Sequence, residues 1–166
     1  MNSMENKAET AKRLFLSGAN CSQAVIGAFQ PECGIDFDTA MRIASGFGGG
    51  MGRLRLTCGT VSGAVMVLGT VFSKAEINPE NKKEVYAAVQ EFSGRCKAEN
   101  GSVVCGELLT GAHLKADIAS VPEARSAEYY RKRPCPELVY SAAKILEEYL
   151  EERGKLDGDA LSAGKH

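Results

Sequence analysis

Apolar residues recur at spacings of three and four along most of the chain, and this spacing restricts the fold more than any other feature. In the segment after Pro79, the apolar side chains that share one face of a helix are Val85, Val89, Phe92 and Cys96. No alternation of apolar and polar residues, the pattern typical of a half-buried strand, extends over any length of the sequence. The sequence therefore predicts an all-α fold, a single-domain helical bundle of about five to six helices.

Capping and helix-breaking residues indicate where these helices begin and end. Asn20 and Asn78 are favourable N-cap residues, and a proline directly after Asn78 suits the first turn of a helix. Thr57 can cap a helix from Cys58 to about Phe72, which is apolar nearly all round and is predicted to be central and buried. The other predicted helices are a first one that ends at Gly18, a third one capped by Asp36 or Asp38, a short one at 105–109 and a last one from Cys135.

The glycine-rich segment 46–52 contains too much glycine for a stable helix. It lacks the spacing of nucleotide-binding loops, which favours a tight turn or close packing against another helix. Residues 99–134 are predicted to be mostly irregular, and a segment of that length inside a compact domain is usually functional. We predict one helical, cysteine-containing domain over residues 1–154 and a disordered polar tail over residues 155–166.

The charge balance excludes some classes of function. Twenty Lys and Arg residues oppose 21 Asp and Glu residues, whereas a nucleic-acid-binding protein usually has a strong positive excess. The basic cluster at 131–133 is interpreted as an ordinary solvated loop. No apolar run approaches the roughly 18 residues of a membrane helix, and the N-terminus does not resemble a secretory signal. We therefore expect a cytoplasmic protein without membrane insertion, whose six cysteines serve as ligands, catalysts or core residues.

Four of the six cysteines fall at predicted helix starts, namely Cys21, Cys58, Cys105 and Cys135. At a helix N-terminus the free N–H groups and the dipole stabilise an anion, which can lower a thiol pKa to roughly 3.5–7.5. Because the thiolate is both the nucleophile and the metal ligand, these four are the candidate catalytic and metal-binding residues. No Cys-x-x-Cys pair occurs, so the spacing by itself does not indicate a metal site.

For the remaining cysteines and for His113, a structural or surface position is favoured over a role in chemistry. Cys96 lies on the apolar face of its helix and is predicted to be a core residue, and Cys33, in a turn, is predicted to be exposed and incidental. His113 is the histidine that a cysteine–histidine pair would require, although a surface position is the favoured interpretation. Arg53 and Arg55 either add positive potential near the helix-start thiol that follows them or are exposed loop residues without a role.

The order of the cysteine motifs resembles that of a known family. The motif Asn-Cys-Ser-Gln-Ala-Val begins at Asn20, and Cys-Gly-Thr-Val-Ser-Gly begins at Cys58 after the glycine-rich segment. Two further cysteines follow, Cys105 ahead of Glu-Leu-Leu and Cys135 ahead of proline. Over about residues 5 to 150, this set resembles the C_GCAxxG_C_C family, whose members are labelled redox-active. Thr60 stands where the family motif has alanine, a departure that could alter packing behind the preceding cysteine.

The resemblance implies an all-helical domain with Cys21, Cys58, Cys105 and Cys135 as its characteristic cysteines, and the family pattern does not require the other two. Three functions remain open. The first is a redox role, as dithiol–disulfide cycling or electron transfer by a thiol oxidoreductase with a redox partner protein. The second is binding of zinc, copper or an iron–sulfur cluster by the same four thiolates. The third is a non-catalytic helical interaction domain, a homo-oligomer among the alternatives, in which the cysteines serve as packing residues.

Overall fold

The fold is all-α, as predicted. The computed structural model describes residues 5–156, and within that range it contains no β-strand, only an isolated antiparallel bridge between Thr57 and Val104. The helices are α1 Lys7–Leu16, α2 Cys21–Ala28, α3 Gln30–Cys33, α4 Phe37–Ala44, α5 Gly59–Phe72, α6 Pro79–Asn100, α7 Cys105–Gly111, α8 Ala127–Lys132 and α9 Cys135–Glu152. The predicted tail lies outside the described residues from position 157 onward.

The helix count exceeds the prediction because short helices carry little periodicity. Of the nine helices in residues 5–156, the sequence pattern missed α3 and α8, which have four and six residues. A 3₁₀ turn at Ser45–Phe47 leads into a turn at Gly48–Met51, whose helical hydrogen bonding is interrupted by left-handed backbone at Gly49 and Gly50. The prediction of a tight glycine turn is therefore confirmed.

Side-chain caps start most of the longer helices. Asn20 accepts a hydrogen bond from the Gln23 amide while the Gln23 side chain accepts one from the Asn20 amide, which forms a capping box at α2. Asn78 caps α6 through the Asn81 amide, and Asp36 is the cap of α4. The prediction that Thr57 caps α5 was wrong, because the N-cap residue is Cys58 and no side chain caps this helix.

Helix α5 is the centre of the bundle, as its apolar composition predicted. It packs against α2, α6 and α9, while α1 packs against α2 and α9. The largest fully buried side chains in this core include Phe29, Leu68, Phe92, Leu146 and Tyr149. Within residues 5–156, no helix is both long and apolar enough to cross a lipid bilayer.

The two remaining cysteines both lie in this core. Cys96 has 2% of its surface exposed, which confirms the prediction of a core residue. Cys33 has 7% of its surface exposed, so the expectation that it would be exposed was wrong. It is buried because the missed helix α3 ends at Cys33 and packs against α5.

Two glycines one turn apart allow α5 to approach α2 closely. A Cβ atom added at Gly63 would lie 2.7 Å from the Ser22 carbonyl oxygen, and one added at Gly59 would lie 2.7 Å from the Cys21 Sγ atom. The Ser22 oxygen is a backbone atom, so position 63 requires glycine as long as the helices keep this separation, whereas at position 59 the Cys21 side chain would have to shift. The start of α2, including its first cysteine, is thus held directly against α5.

The close approach predicts opposite effects for two glycine substitutions in the same helix. Gly63→Ala is expected to lower the free energy of unfolding by about 1–3 kcal/mol, because the added methyl overpacks the α2–α5 interface. Gly69→Ala is the matched control, since its Cβ would meet no atom within 4 Å, and it is expected to raise stability by up to about 1 kcal/mol through helix propensity. Urea unfolding of both variants measures the difference, and equal effects would contradict the close approach.

Candidate functional site

The four cysteines at predicted helix starts line a single cavity of about 70 Å³. Cys21, Cys105 and Cys135 are the first residues of α2, α7 and α9, as predicted, while Cys58 is the N-cap of α5. Cys58 and Cys105 are buried, and the other two are half-buried. All six cysteines lie within the described residues, and all are free thiols. The fold therefore gathers the four candidates from four separate elements.

A short backbone pairing holds Cys58 and Cys105 beside each other. The Cys58 amide donates to the Val103 carbonyl at 2.7 Å, and the Cys105 amide donates to the Leu56 carbonyl at 2.6 Å. A third bond, 2.9 Å long, runs from the amide that follows Cys105 to the carbonyl of Arg55. The isolated bridge described above lies within this pairing. Two helix starts that are distant in sequence thus become neighbours.

The glycine turn packs against two of the segments that carry the cavity cysteines, and its Gly49 lines the cavity. Asn20, the cap residue before Cys21, donates from its side-chain amide to the Ser45 carbonyl at 3.0 Å. A Cβ atom at Gly48 would lie 2.7 Å from the Asn20 side chain, and one at Gly50 would lie 2.7 Å from the Cβ of Cys105. Glycines at these positions therefore let the turn pack against two of the cysteine-bearing segments.

Two of the thiols have polar partners. The Cys58 Sγ atom lies 3.1 Å from the Thr60 hydroxyl, so the residue that departs from the family motif contacts the thiol itself. An Arg55 guanidinium nitrogen donates to the Cys105 Sγ atom at 3.8 Å. The positive charge of Arg133 lowers the pKa of Cys135 and so opposes part of the rise that burial causes.

Burial raises the pKa of three of the cavity thiols. It raises the pKa of Cys58 to about 12, and the nearby Cys21 adds to the rise. Burial likewise raises the pKa of Cys135 to about 11. Burial also raises the pKa of Cys105, against a smaller lowering by the hydrogen bond from Arg55. For these three, the expectation that a helix start lowers the pKa was wrong, because desolvation is the larger effect.

Arginine side chains surround the cavity, and of these only Arg55 was considered from the sequence as a source of positive potential near a thiol. Arg55 has 8% of its surface exposed, so the exposed-loop alternative for this residue is wrong. Arg133 was assigned to a solvated loop, yet its side chain is 11% exposed and lines the cavity. Arg125, which sequence analysis did not single out, lies over the Phe15 ring at 4.4 Å and the Tyr129 ring at 5.0 Å. These contacts depend on tertiary packing, which no local sequence signal specifies.

Three candidate groups lie outside the cavity. Cys33 interacts with Thr70, and burial raises its pKa to about 11. Cys96 lies in the core among apolar side chains, where burial raises its pKa to about 12. His113 is exposed and does not line the cavity, so this histidine does not pair with the cavity thiols.

A four-cysteine metal site would require a closer arrangement of the thiols than a shared cavity alone provides. A four-thiolate zinc site is tetrahedral with Zn–S distances of about 2.3 Å, so its sulfur atoms lie very close together. Among residues 5–156, no group of three or more His, Cys, Asp or Glu side chains is placed so that it could hold a metal ion. The four thiols share a cavity, but as placed they do not form a ready coordination set.

The raised pKa of Cys96 predicts a loss of stability at alkaline pH. The pKa is about 12 in the folded protein, against 9.0 for an unperturbed cysteine, so between these values the unfolded chain loses the proton that the folded protein keeps. This contribution is fully present below pH 9.0 and is lost as the pH rises to about 12. One such group makes the free energy of unfolding fall by up to about 1.4 kcal/mol per pH unit.

Cys96→Ala is therefore expected to give a shallower fall of stability with pH than the unaltered protein. Urea unfolding at several pH values above about 8, where the ordinary cysteine pKa begins to matter, measures both slopes. Comparing slopes removes the constant packing loss that the substitution causes. Parallel slopes would mean that the thiol of Cys96 titrates alike in the folded and unfolded protein.

Comparison with known proteins agrees with the motif order. A family model described as "Putative redox-active protein (C_GCAxxG_C_C)" matches residues 19–149, a span that includes all four cavity cysteines. No curated protein and no solved structure matches the chain. Since the family match covers well over half of the sequence, the chain belongs to the C_GCAxxG_C_C family.

Proposed function

We propose that this protein is a thiol–disulfide redox protein whose working residues are Cys21, Cys58, Cys105 and Cys135. The observation that carries the proposal is the meeting of four free thiols, from four separate elements, around one cavity. Packing alone would not require four cysteines to share a cavity with polar and charged side chains. The description of the family supports the redox class without specifying a reaction.

The reaction is a two-electron exchange with a disulfide. The thiolate of one cysteine attacks a sulfur of the oxidised partner, which forms a mixed disulfide and releases one partner thiolate, which then takes up a proton. A second cysteine attacks the mixed disulfide, so that a protein disulfide forms and the second partner thiol leaves. Two protein thiols are oxidised and one partner disulfide is reduced. A reductant of the dithiol class returns the protein to its starting state.

Cys21 is our choice for the attacking residue. It is half-buried, whereas Cys58 and Cys105 are buried, so an incoming disulfide can reach it more readily. It also raises the pKa of each of the other three thiols, which places it within electrostatic range of all of them. Cys135 is accessible to a similar degree, but its pKa of about 11 leaves little thiolate at neutral pH. The buried thiols are then the candidates for the resolving step.

A thiolate metal or iron–sulfur site at the same four residues is the second candidate. Four converging cysteines are more than one disulfide requires, and four is the usual number of cysteine ligands for a structural zinc or an iron–sulfur cluster. The thiols would have to move from their present positions to coordinate a metal. For that reason dithiol chemistry is the proposed function, and metal binding is an outcome that the experiment must detect.

Metal content, visible absorption and thiol count, measured on anaerobically purified protein, test the proposal together. We expect colourless, metal-free protein with six titratable thiols, whose count falls by two on mild oxidation and recovers with a dithiol reductant. About one metal ion or cluster per chain, with four thiols masked until it is removed, would replace the proposal by the second candidate. If the number of free thiols does not fall by two on oxidation and recover on reduction, dithiol cycling is contradicted.

Single substitutions assign the working cysteines. Cys21→Ser and Cys58→Ser are each expected to reduce the rate of disulfide exchange by at least about 100-fold, because serine does not perform the exchange. Cys33→Ser and Cys96→Ser remove cysteines outside the cavity and are the matched controls, expected to retain exchange in the folded variant. Circular dichroism establishes that each variant is folded. Equal rates for Cys58→Ser and Cys33→Ser would contradict the assignment.

A further inference from the structure

A larger groove of about 420 Å³ adjoins the cysteine cavity. The two share part of their lining, including Asn20, Gly49, Arg55 and Arg125, so the groove lies directly beside the cavity that the four cysteines line. Its volume lies within the roughly 300–1,000 Å³ that small-molecule sites occupy in proteins. The groove is therefore large enough for a small reactant, whereas the cavity beside it is not.

The groove is strongly positive. Its lining includes four guanidinium groups, those of Arg53, Arg55, Arg125 and Arg133. The single carboxylate in the lining is that of Glu123. Glu123 pairs with Arg133. An Asp117 carboxylate lies 4.0 Å from Arg53, at the limit of an ion pair. Among the described residues, Arg55 and Arg125 have no carboxylate partner.

Main-chain carbonyls accept hydrogen bonds from some of these arginines without cancelling their charge. Arg125 donates to the Phe15 and Ala19 carbonyls, each at 3.2 Å, and Arg55 donates to the Asp117 carbonyl at 2.8 Å. These bonds fix the guanidinium groups in place, and those of Arg125 tie the 112–126 loop to the end of α1 and to the residue before the α2 cap. A carbonyl is neutral, however, so the net positive charge remains available to an incoming anion.

Arg53 gives an independent indication of a ligand. Its Nε atom is buried and has no hydrogen-bond partner, and a buried donor left unpaired costs about 1–3 kcal/mol. The backbone at Arg53 and Arg55 is also left-handed, with φ of 72° and 62°, a conformation that non-glycine residues seldom adopt. Strained residues of this kind persist where the surrounding structure holds them, most often at functional sites.

We infer that the groove binds an anionic low-molecular-weight disulfide and presents one of its sulfur atoms to Cys21. This inference rests on the proposed thiol–disulfide exchange and names its substrate class. Carboxylates of the disulfide pair with the guanidinium groups, which suit planar, two-point recognition of a carboxylate. The exchange itself is the two-electron reaction given above: the protein forms one disulfide, and the ligand leaves as two thiols.

Three disulfides of similar size and different charge test the inference on the reduced, full-length protein. They are the anionic dithiodipropionate, the neutral hydroxyethyl disulfide and the cationic cystamine, and each rate is divided by that of the same disulfide with a free small thiol. We expect the anionic compound to react at least about tenfold faster than the neutral one, with the cationic compound slowest. The preference should shrink as the salt concentration rises.

Arg53→Gln is expected to reduce the anionic preference at least about threefold, because the groove loses one of its four guanidinium charges. Arg53→Lys retains the charge and should keep most of the preference, while Arg95→Gln removes an arginine outside the groove and should leave it unchanged. Equal normalised rates for the three disulfides, or no effect of Arg53→Gln in a folded variant, would overturn the inference and leave the proposed function intact. Reaction with none of the three would overturn the proposed function and, with it, this inference.

Discussion

The backbone pairing between residues 55–58 and 103–106 is the interaction on which the rest of the site depends. Three amide-to-carbonyl hydrogen bonds place the N-cap of α5 beside the first residue of α7. Because α5 is also the central helix of the core, the position of Cys58 is fixed by the bundle, and the pairing transfers that position to Cys105. The glycine contacts between α2 and α5 then add Cys21 to the same place. The fold and the thiol cavity therefore share one framework.

Burial and the helix dipole oppose each other at these thiols, and their magnitudes decide the outcome. A charge at a helix terminus is stabilised by about 0.3–1 kcal/mol at exposed sites, and by up to about 2 kcal/mol in favourable, partly buried ones. A pKa rise from 9.0 to about 12, as at Cys58, corresponds to roughly 4 kcal/mol. Desolvation therefore outweighs the dipole. The site protects most of its thiols in the protonated form, and reactivity depends on accessibility and on nearby cations.

Local sequence signals predicted the long helices and the four candidate cysteines, because caps and apolar spacing act over a few residues. Asn20 and Asn78 cap the helices that they were expected to cap. The burial of Cys33 and the role of Arg133 were missed, since each depends on a short helix whose few residues carry little periodic signal. The convergence of the four cysteines was not predictable from spacing either, because it is set by contacts between residues distant in the sequence.

The strained segment between the glycine turn and α5 accounts for the position of the arginines. Left-handed backbone at a non-glycine residue costs about 1–3 kcal/mol, and the amides of Arg53 and Arg55 offset part of that cost by bonding to the Gly48 and Gly49 carbonyls. In return, the Arg55 guanidinium lines the thiol cavity and the Arg53 guanidinium lines the adjoining groove, beside thiols that are buried or half-buried. Charges act more strongly there, because the local dielectric constant is lower than in solvent. The burial that keeps the thiols protonated thus also strengthens the attraction between these arginines and a thiolate formed during exchange.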